Sequence, residues 1–342
     1  MSVSRVLNNS PLVTEVTRQR VLRAMAELHY TPNASARSLK GGRTRLLGVL
    51  IPDTNNPIYG LYVDGVKDTA YALGYSVLLC KPSSNEASDT ACLRLLIEHR
   101  VTGLVLTSGG WRGHNSLLVR SGMTVVCVDN KMRGYDRVTL DNAAAMDMGV
   151  GHLAHLGHQA IGMICGPIHI ASERERLIGY RRAMRRRGLP VERRLQAVAG
   201  MFTDEDGMAA AQRLLSQPNR PSALIVSSSA FTPGALVAAS DLGLAIPEDL
   251  ALVGVGEMSW SPVLISPVTS LVEPAYQMGV DACRMLLERA VSGEQGPPRC
   301  RSYAPRLAVR ASCGAPPEMR DTPPRTARPL LFSSVTLDGP VT

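Results

Sequence analysis

LLGVLIPDTNNPIYGLYVDGVKDTAYALGYSVLLC, residues 46–80, opens on a continuous apolar run, Leu46 to Ile51. Such a run is the pattern of a strand buried on both faces of a parallel sheet. A helix-like stretch follows to Leu73, Gly74 breaks it, and Tyr75 to Cys80 is a second apolar run. Strand, helix, strand reads as a βαβ unit. The same rhythm continues downstream. Strands are expected at GLVLT (103–107), TVVCV (124–128), AIGMIC (160–165), LQAVAG (195–200), ALIV (223–226) and LALVGV (250–255). Helices are expected at 88–99, 173–187, 205–215, 233–242 and 274–289. These strands are too many for one modest sheet. The expected fold is α/β, with two doubly wound parallel lobes and a ligand in the crevice between them, at the strand carboxyl ends.

The residues before this stretch read differently. Ser2 to Leu7 looks like the end of a helix, and Asn8, Asn9, Ser10 and Pro11 form a turn. Thr14 is the expected N-cap of a helix with Glu15 in its first turn. Val21, Leu22, Met25 and Leu28 give that helix an apolar stripe. Pro32 ends it, NASARSLK (33–40) reads as a short second helix, and Gly41 and Gly42 close the segment. Residues 1–45 carry eight Lys or Arg against Glu15 and Glu27, most of the chain's formal net charge of +8. A basic front on a nearly neutral body is a nucleic-acid footprint.

The 342 residues correspond to about two domains at roughly 150 residues each. Apolar residues at 45% and charged residues at 19% exclude wholesale disorder. No apolar run approaches the roughly 18–20 residues that cross a bilayer, so no membrane association is expected. The start, MSVSRVLNNSPLV, lacks the apolar core of a signal peptide, and the expected location is the cytoplasm. Seven scattered cysteines without a CxxC argue against a disulfide framework or a zinc module. Residues 313–342 hold six prolines and no periodicity, and read as a disordered tail.

The stretch from Ser2 to Tyr59 resembles the lactose-repressor (LacI) family of bacterial transcription regulators. The resemblance continues through LDNAAAM (140–146), LGHQAIGMICGP (156–167), ERERLIGYRRAM (173–184), IPEDLALVGV (246–255) and APRLAVRAS (304–312). It implies a helix-turn-helix headpiece (1–31), a hinge helix and linker (32–45), and a two-lobed effector-binding and dimerisation domain like a periplasmic binding protein (46–312). It further implies a homodimer on a pseudo-palindromic double-stranded DNA operator, gated by a small molecule. Ser2 to Asn8 match the end of the family's recognition helix, and the earlier part of that headpiece has no counterpart before Met1. The headpiece as written is therefore expected to fold poorly and to read little sequence, because the first residues of a recognition helix make most base contacts. A start codon set too far downstream is the expected reason, and a truncated product the alternative.

Candidate DNA contacts follow from the match. Ser4 and Arg5 end the recognition helix, and Thr14, Arg18 and Arg37 are placed to hold the phosphate backbone. Leu39 matches the hinge-helix leucine that wedges into the minor groove, with Asn33 and Ala36 on the same segment. In the crevice, Arg176 matches the family's effector-binding arginine, whose fork of donors suits a hydroxyl pair or a carboxylate. Asn56, Tyr59, Asp129, Ser172 and Phe202 complete the expected wall. Where sugar-binding members carry Asn-Asp and a further Asp, this chain has Ser228, Ser229 and Gly256, with Glu257 next. Fewer carboxylates beside Arg176 imply a less acidic crevice, and an anionic effector such as a sugar acid or phosphorylated sugar in place of a neutral sugar.

Other signals are weak. His152, His155 and His158 form HxxHxxH, but Gly157 breaks the helix before the last, so no metal site is expected. Gly149, Gly151 and Ala154 fit GxGxxA without a preceding strand, which is not a dinucleotide site. No G-x-S-x-G and no P-loop occur. No cofactor and no enzymatic activity are expected. The alternative to a working regulator is an effector-binding protein of the same fold with a non-functional DNA reader.

Overall fold

A computed structural model describes residues 5–6, 11–28, 44–82, 85–107 and 115–321. Ser4, Asn33, Ala36, Arg37 and Leu39 lie outside the described residues. Helix α1 (Glu15–Glu27) begins at Thr14, whose Oγ1 accepts the Thr17 N–H at 3.4 Å. Arg18 on this helix donates to the carbonyl of Val6 at 3.4 Å, and Val6 is buried. The apolar stripe of α1 is only partly covered: Val21 and Met25 are half-buried, whereas Leu22 and Leu28 are exposed.

Two six-stranded sheets follow. The first joins β1 (Leu46–Leu50), β2 (Ser76–Cys80), β3 (Gly103–Thr107), β4 (Thr124–Val128), β5 (Asp136–Leu140) and β11 (Cys300–Tyr303) in the order β11-β5-β4-β3-β1-β2, all parallel. The second joins β6 (Ile161–Cys165), β7 (Gln196–Val198), β8 (Ala223–Val226), β9 (Ala251–Val255), β10 (Thr269–Val272) and β12 (Arg306–Ala308) in the order β12-β10-β9-β8-β6-β7. Only β12 runs antiparallel to its neighbour. The first lobe carries helices α2 (Pro57–Ala72), α3 (Glu86–Glu98), α4 (Asn115–Ser121) and α9 (Ala275–Ala290). The second carries α5 (Asn142–His155), α6 (Ala171–Arg186), α7 (Asp204–Leu215) and α8 (Thr232–Asp241).

Alternation along each strand divides the core. In the first lobe Leu47, Val49, Val105 and Val126 pack with α2 and α9. Leu50, Leu104, Leu106 and Cys127 pack with Leu93 and Leu96 of α3 on the other face. Strands buried on both sides need apolar residues at every position, which is why these segments read as unbroken runs. The second lobe repeats the division.

The chain passes between the lobes three times: at Leu140–Asn142, at Val272–Ala275 and at Tyr303–Arg306. Around the second passage α2 and α9 lie in direct backbone contact. A Cβ at Gly65 would stand 2.1 Å from the Tyr276 carbonyl oxygen, and one at Gly279 would stand 2.3 Å from that of Tyr62.

Asp136 ties β5 to α9 and to the segment before β11. Its buried carboxylate accepts from Arg289 Nε at 2.7 Å, from the Arg299 backbone N–H at 2.7 Å and from Arg299 Nε at 2.9 Å. Burial alone would raise its pKa; hydrogen bonds from Arg289 and Arg299 outweigh that and hold it below the ordinary value. A lowered folded-state pKa gives stability that is present above the unfolded value of about 3.9 and is lost as pH falls through the folded one. Asp136→Asn should therefore be less stable at pH 7, by about 1–3 kcal/mol, and should lose less on acidification than the parent. Urea unfolding at pH 7 and pH 3 checks both.

The sequence reading placed residues from 313 onward in a tail. The folded body instead runs through Asp321: Cys313 and Ala315 are fully buried, and the Asp321 N–H bonds the Val309 carbonyl at 2.8 Å. The short 3-10 turn at Ala311–Cys313 buries Ser312 and Cys313 without any periodic pattern to announce it, and an exposed second turn follows at Pro317–Met319. Residues 322–342 lie outside the described residues.

Candidate functional site

The carboxyl ends of the strands in both lobes face a common crevice. After β1 the chain reaches Asn56, which caps α2 by accepting the Ile58 N–H at 3.1 Å. One turn on, Tyr59 and Tyr62 project from α2, with ring centroids 6.3 Å apart. Asp129 follows β4 with φ +50°, a left-handed conformation uncommon outside glycine. From the second lobe come Ser172, Glu173 and Arg176 of α6, Phe202 after β7, Ser228 and Ser229 after β8, and Gly256 after β9. Glu273 lies within the second passage between the lobes. Together these surround a narrow space between the lobes. It adjoins a wider groove that shares Asn56, Tyr59 and Phe202 and reaches Asp53, Lys81 and His169.

Arg176 is the centre of this wall and is 5% exposed. Its Nε donates to Asn142 Oδ1 at 2.8 Å. Nη1 donates to Glu173 Oε1 at 3.1 Å and to the Ser227 carbonyl at 2.7 Å, and Nη2 donates to Glu273 Oε1 at 3.1 Å. Nη2 also lies 3.9 Å from Asp129 Oδ2. Burial works against the guanidinium charge; Glu173, Glu273 and Asp129 more than offset it, and the group stays ionised.

The carboxylates differ in how they are held. Glu173 is 1% exposed, and its second oxygen accepts from the Gly166 N–H at 2.7 Å and from the Ser227 hydroxyl. Glu273 accepts the Tyr62 hydroxyl at 2.8 Å. Burial pushes the Asp129 carboxyl up to about 7 against the pull of Arg176, and Glu273 and Glu173 push it the same way. Burial likewise raises the phenols of Tyr59 and Tyr62, so both are neutral donors at pH 7. On the opposite wall Phe202 stacks on Phe231, centroids 5.4 Å apart and planes 10° from parallel. Across the crevice the Ser229 hydroxyl meets Asn56 Oδ1 at 3.0 Å, linking the two lobes.

Seven of the eight expected crevice residues come together here: Asn56, Tyr59, Asp129, Ser172, Arg176, Phe202 and Ser228. Glu257 does not. It is ion-paired with Arg310, which is 4% exposed and already bonded to the Val268 carbonyl at 2.8 Å. A buried guanidinium needs a counter-charge, and Glu257 supplies it. Sequence reading missed Tyr62, Glu173 and Glu273. Tyr62 sits three residues beyond Tyr59, on the same helix face, a spacing that could have flagged it.

Those two glutamates overturn one expectation. The losses at Ser228, Ser229 and Gly256 implied a less acidic crevice, yet three carboxylates surround one guanidinium. Elsewhere, Arg5, Thr14 and Arg18 belong to the described part of the front segment. His152 Nε2 meets Cys313 Sγ at 3.2 Å while His158 Nδ1 meets Ser222 Oγ at 3.0 Å, so two of the three histidines are turned to separate partners.

Two parallel-sheet lobes joined by three passages, with a buried polar wall between them, define a cleft-type small-molecule-binding domain. The sequence profile of the periplasmic binding protein-like domain matches residues 150–313, and that of bacterial regulatory proteins of the lacI family matches residues 1–33. The HTH-type transcriptional repressor PurR of Proteus mirabilis is 31% identical over 316 residues, 91% of this chain and 92% of that one. Catabolite control protein A of Priestia megaterium is 32% identical over 292 residues, 83% and 87% of the two chains. Among solved structures, the transcriptional regulator CelR–cellobiose complex superposes with a TM-score of 0.74 at 27% identity, covering 90% of this chain and 94% of that one. The lac repressor bound to ONPG in its repressed state gives 0.79 at 25% identity, with 91% and 94% covered. The chain belongs to the lacI family of bacterial regulatory proteins. It is a transcription regulator and not an enzyme. Among the described residues, no helix is long and apolar enough to cross a membrane.

Proposed function

We propose that the chain acts as a homodimer on a pseudo-palindromic operator and is gated by a small polyhydroxylated metabolite held between its lobes. The observation that carries this reading is the convergence of Asn56, Asp129, Ser172, Arg176 and Ser228 on one aromatic-walled space between two lobes. A few fixed polar groups against aromatic faces suit a compact ligand with several hydroxyls. The CelR relative holds cellobiose, which favours the sugar class. In this reading residues 1–31 form the headpiece, 32–45 the hinge and linker, and the folded body from 46 onward senses the effector. Arg5, Thr14 and Arg18, with Ser4, Asn33, Ala36, Arg37 and Leu39, contact DNA.

An effector can move the DNA-binding equilibrium only by its difference in affinity for the two lobe arrangements. The Ser229–Asn56 contact across the crevice is the kind of bond that one arrangement keeps and the other loses. Fluorescence anisotropy on labelled operator-length duplex, with a sugar panel added, tests the reading. A panel member should shift the DNA midpoint, and Arg176→Ala should abolish that shift. DNA binding without response to any ligand removes the gating half of the proposal.

The basic front carries the second half. A dimer neutralising six or more phosphates should lose roughly 10³-fold in affinity between 50 and 200 mM salt. The same titration across salt concentrations measures this, and a flat response removes the assigned phosphate contacts.

A further inference from the structure

We propose that the crevice is built to receive a cation: its effector carries a protonated amine beside its hydroxyls, in the manner of an amino sugar, with the amine on Asp129. This rests on the reading of the crevice as the effector site and specifies what enters it. Three observations carry it.

The first is that the donors of the site are spent. Arg176 gives its Nε and both Nη1 hydrogens to Asn142, Glu173 and the Ser227 carbonyl, and one Nη2 hydrogen to Glu273. What remains of its fork points towards Asp129 at 3.9 Å. A ligand carboxylate or phosphate entering here finds almost no free cationic donor.

The second is the charge count. Glu173 and Glu273 already exceed the single charge of Arg176, and both have their oxygens occupied, Glu173 by Gly166 and Ser227 and Glu273 by Tyr62. Asp129 is a third carboxylate, with the Ser172 hydroxyl and a distant guanidinium as its partners. Of the three it is the least engaged and keeps the most acceptor capacity towards the space, Glu273 accepting one bond on each of its oxygens. Carboxylates beyond the local positive charge in a buried site raise the cost of ionisation, and either a proton or a ligand cation removes that cost. The elevated pKa of Asp129, about 7, reflects the same deficit. The groups that face it are Ser172, Glu173 and Arg176 from α6, Glu273 of the second passage, and Tyr59 and Tyr62 from α2.

The third is the lining. Tyr59, Tyr62 and Phe202 stand around the same space, and aromatic faces attract a desolvated ammonium. An ammonium on an ionised Asp129 replaces the proton that the empty site holds in part at neutral pH, so amine binding releases protons. Neutral ligands do not.

Isothermal titration calorimetry of the whole chain tests this with matched sets: glucosamine, glucose and gluconate, then the galacto and manno sets. At pH 7 the best-binding amine should bind roughly tenfold tighter than its parent sugar. Its affinity should rise roughly tenfold between pH 5.5 and 7 as Asp129 ionises. Its heat should depend on the ionisation enthalpy of the buffer. Asp129→Asn should lose the amine preference and the proton release while keeping its unfolding midpoint. Neutral sugars or acids binding as tightly as the amines, or no proton release, overturns the cation assignment and leaves the sugar crevice standing. No binding in any set overturns the sugar-class reading itself, and the cation assignment with it.

Discussion

Arg176→Met should lower the thermal midpoint of the chain by about 10 °C. The side chain is nearly isosteric in length but leaves Glu173 and Glu273 buried without their counter-charge. Removing one partner of a buried ion pair costs about 3–5 kcal/mol. A domain of this size moves by about 2–4 °C per kcal/mol, which gives the figure. Sign and cause can be separated in one comparison. Adding Glu173→Gln and Glu273→Gln to Arg176→Met removes the unbalanced charges and should return much of the lost midpoint. A triple variant as unstable as the single one would show that packing of the arginine stem, not its charge, holds the wall together. Differential scanning calorimetry of the single and triple variants at pH 7 measures both midpoints.

Gly65→Ala should be as damaging to the site as to stability, although residue 65 touches no ligand. The added methyl would sit 2.1 Å from the Tyr276 carbonyl oxygen and 2.9 Å from the Val280 nitrogen, both backbone atoms of α9. Neither can turn away, so α2 must back off from α9. Overpacking of this kind costs about 1–3 kcal/mol, and more where backbone meets backbone. Tyr62 rides on α2 and Glu273 stands just before α9, so the same displacement stretches their 2.8 Å hydrogen bond. Effector affinity should fall roughly tenfold as one support of Glu273 is lost. Gly60 on the same helix is the control. It is exposed, with no atom within 4 Å of the position its Cβ would take. Gly60→Ala should be neutral or stabilise by up to about 1 kcal/mol through helix propensity.

Much of this architecture was legible because its central strands are buried on both faces. Runs such as Leu46 to Ile51 and Ala223 to Val226 admit no other reading once helices separate them. One edge of each sheet was not legible. β11 is CRSY and β12 is RLA, short and half polar, and nothing in four residues distinguishes an edge strand from a loop. β5 (DRVTL) hides a buried aspartate whose partners lie more than 150 residues away. The site divides in the same manner. Arg176, Asp129 and Asn56, singled out from the family resemblance, line one space between the lobes. Glu173 lies three residues before Arg176, and only the packing of α6 beside β6, with Ser227 closing over the pair, makes it a buried one. Glu273 is separated from Arg176 by 97 residues and lies between a strand and a proline, with no local pattern around it. Glu257 read well from its position after β9, but the buried Arg310 claims it.

Of the three passages between the lobes, two are held by the same guanidinium. Asn142 stands at the first and Glu273 in the second, and Arg176 grips both. On the proposed reading the effector's seat is thus next to the axle of the molecule, where the passages meet. A molecule settling beside an axle needs to turn it only slightly, because each degree grows into a larger arc with distance. It works with a short lever, however, so every bond there must be stiff. A fully satisfied arginine, clamped by two acids and a backbone carbonyl, is a stiff bearing. Loosening it, more than loosening any contact at the rim, should uncouple what the crevice senses from what the rest of the chain does.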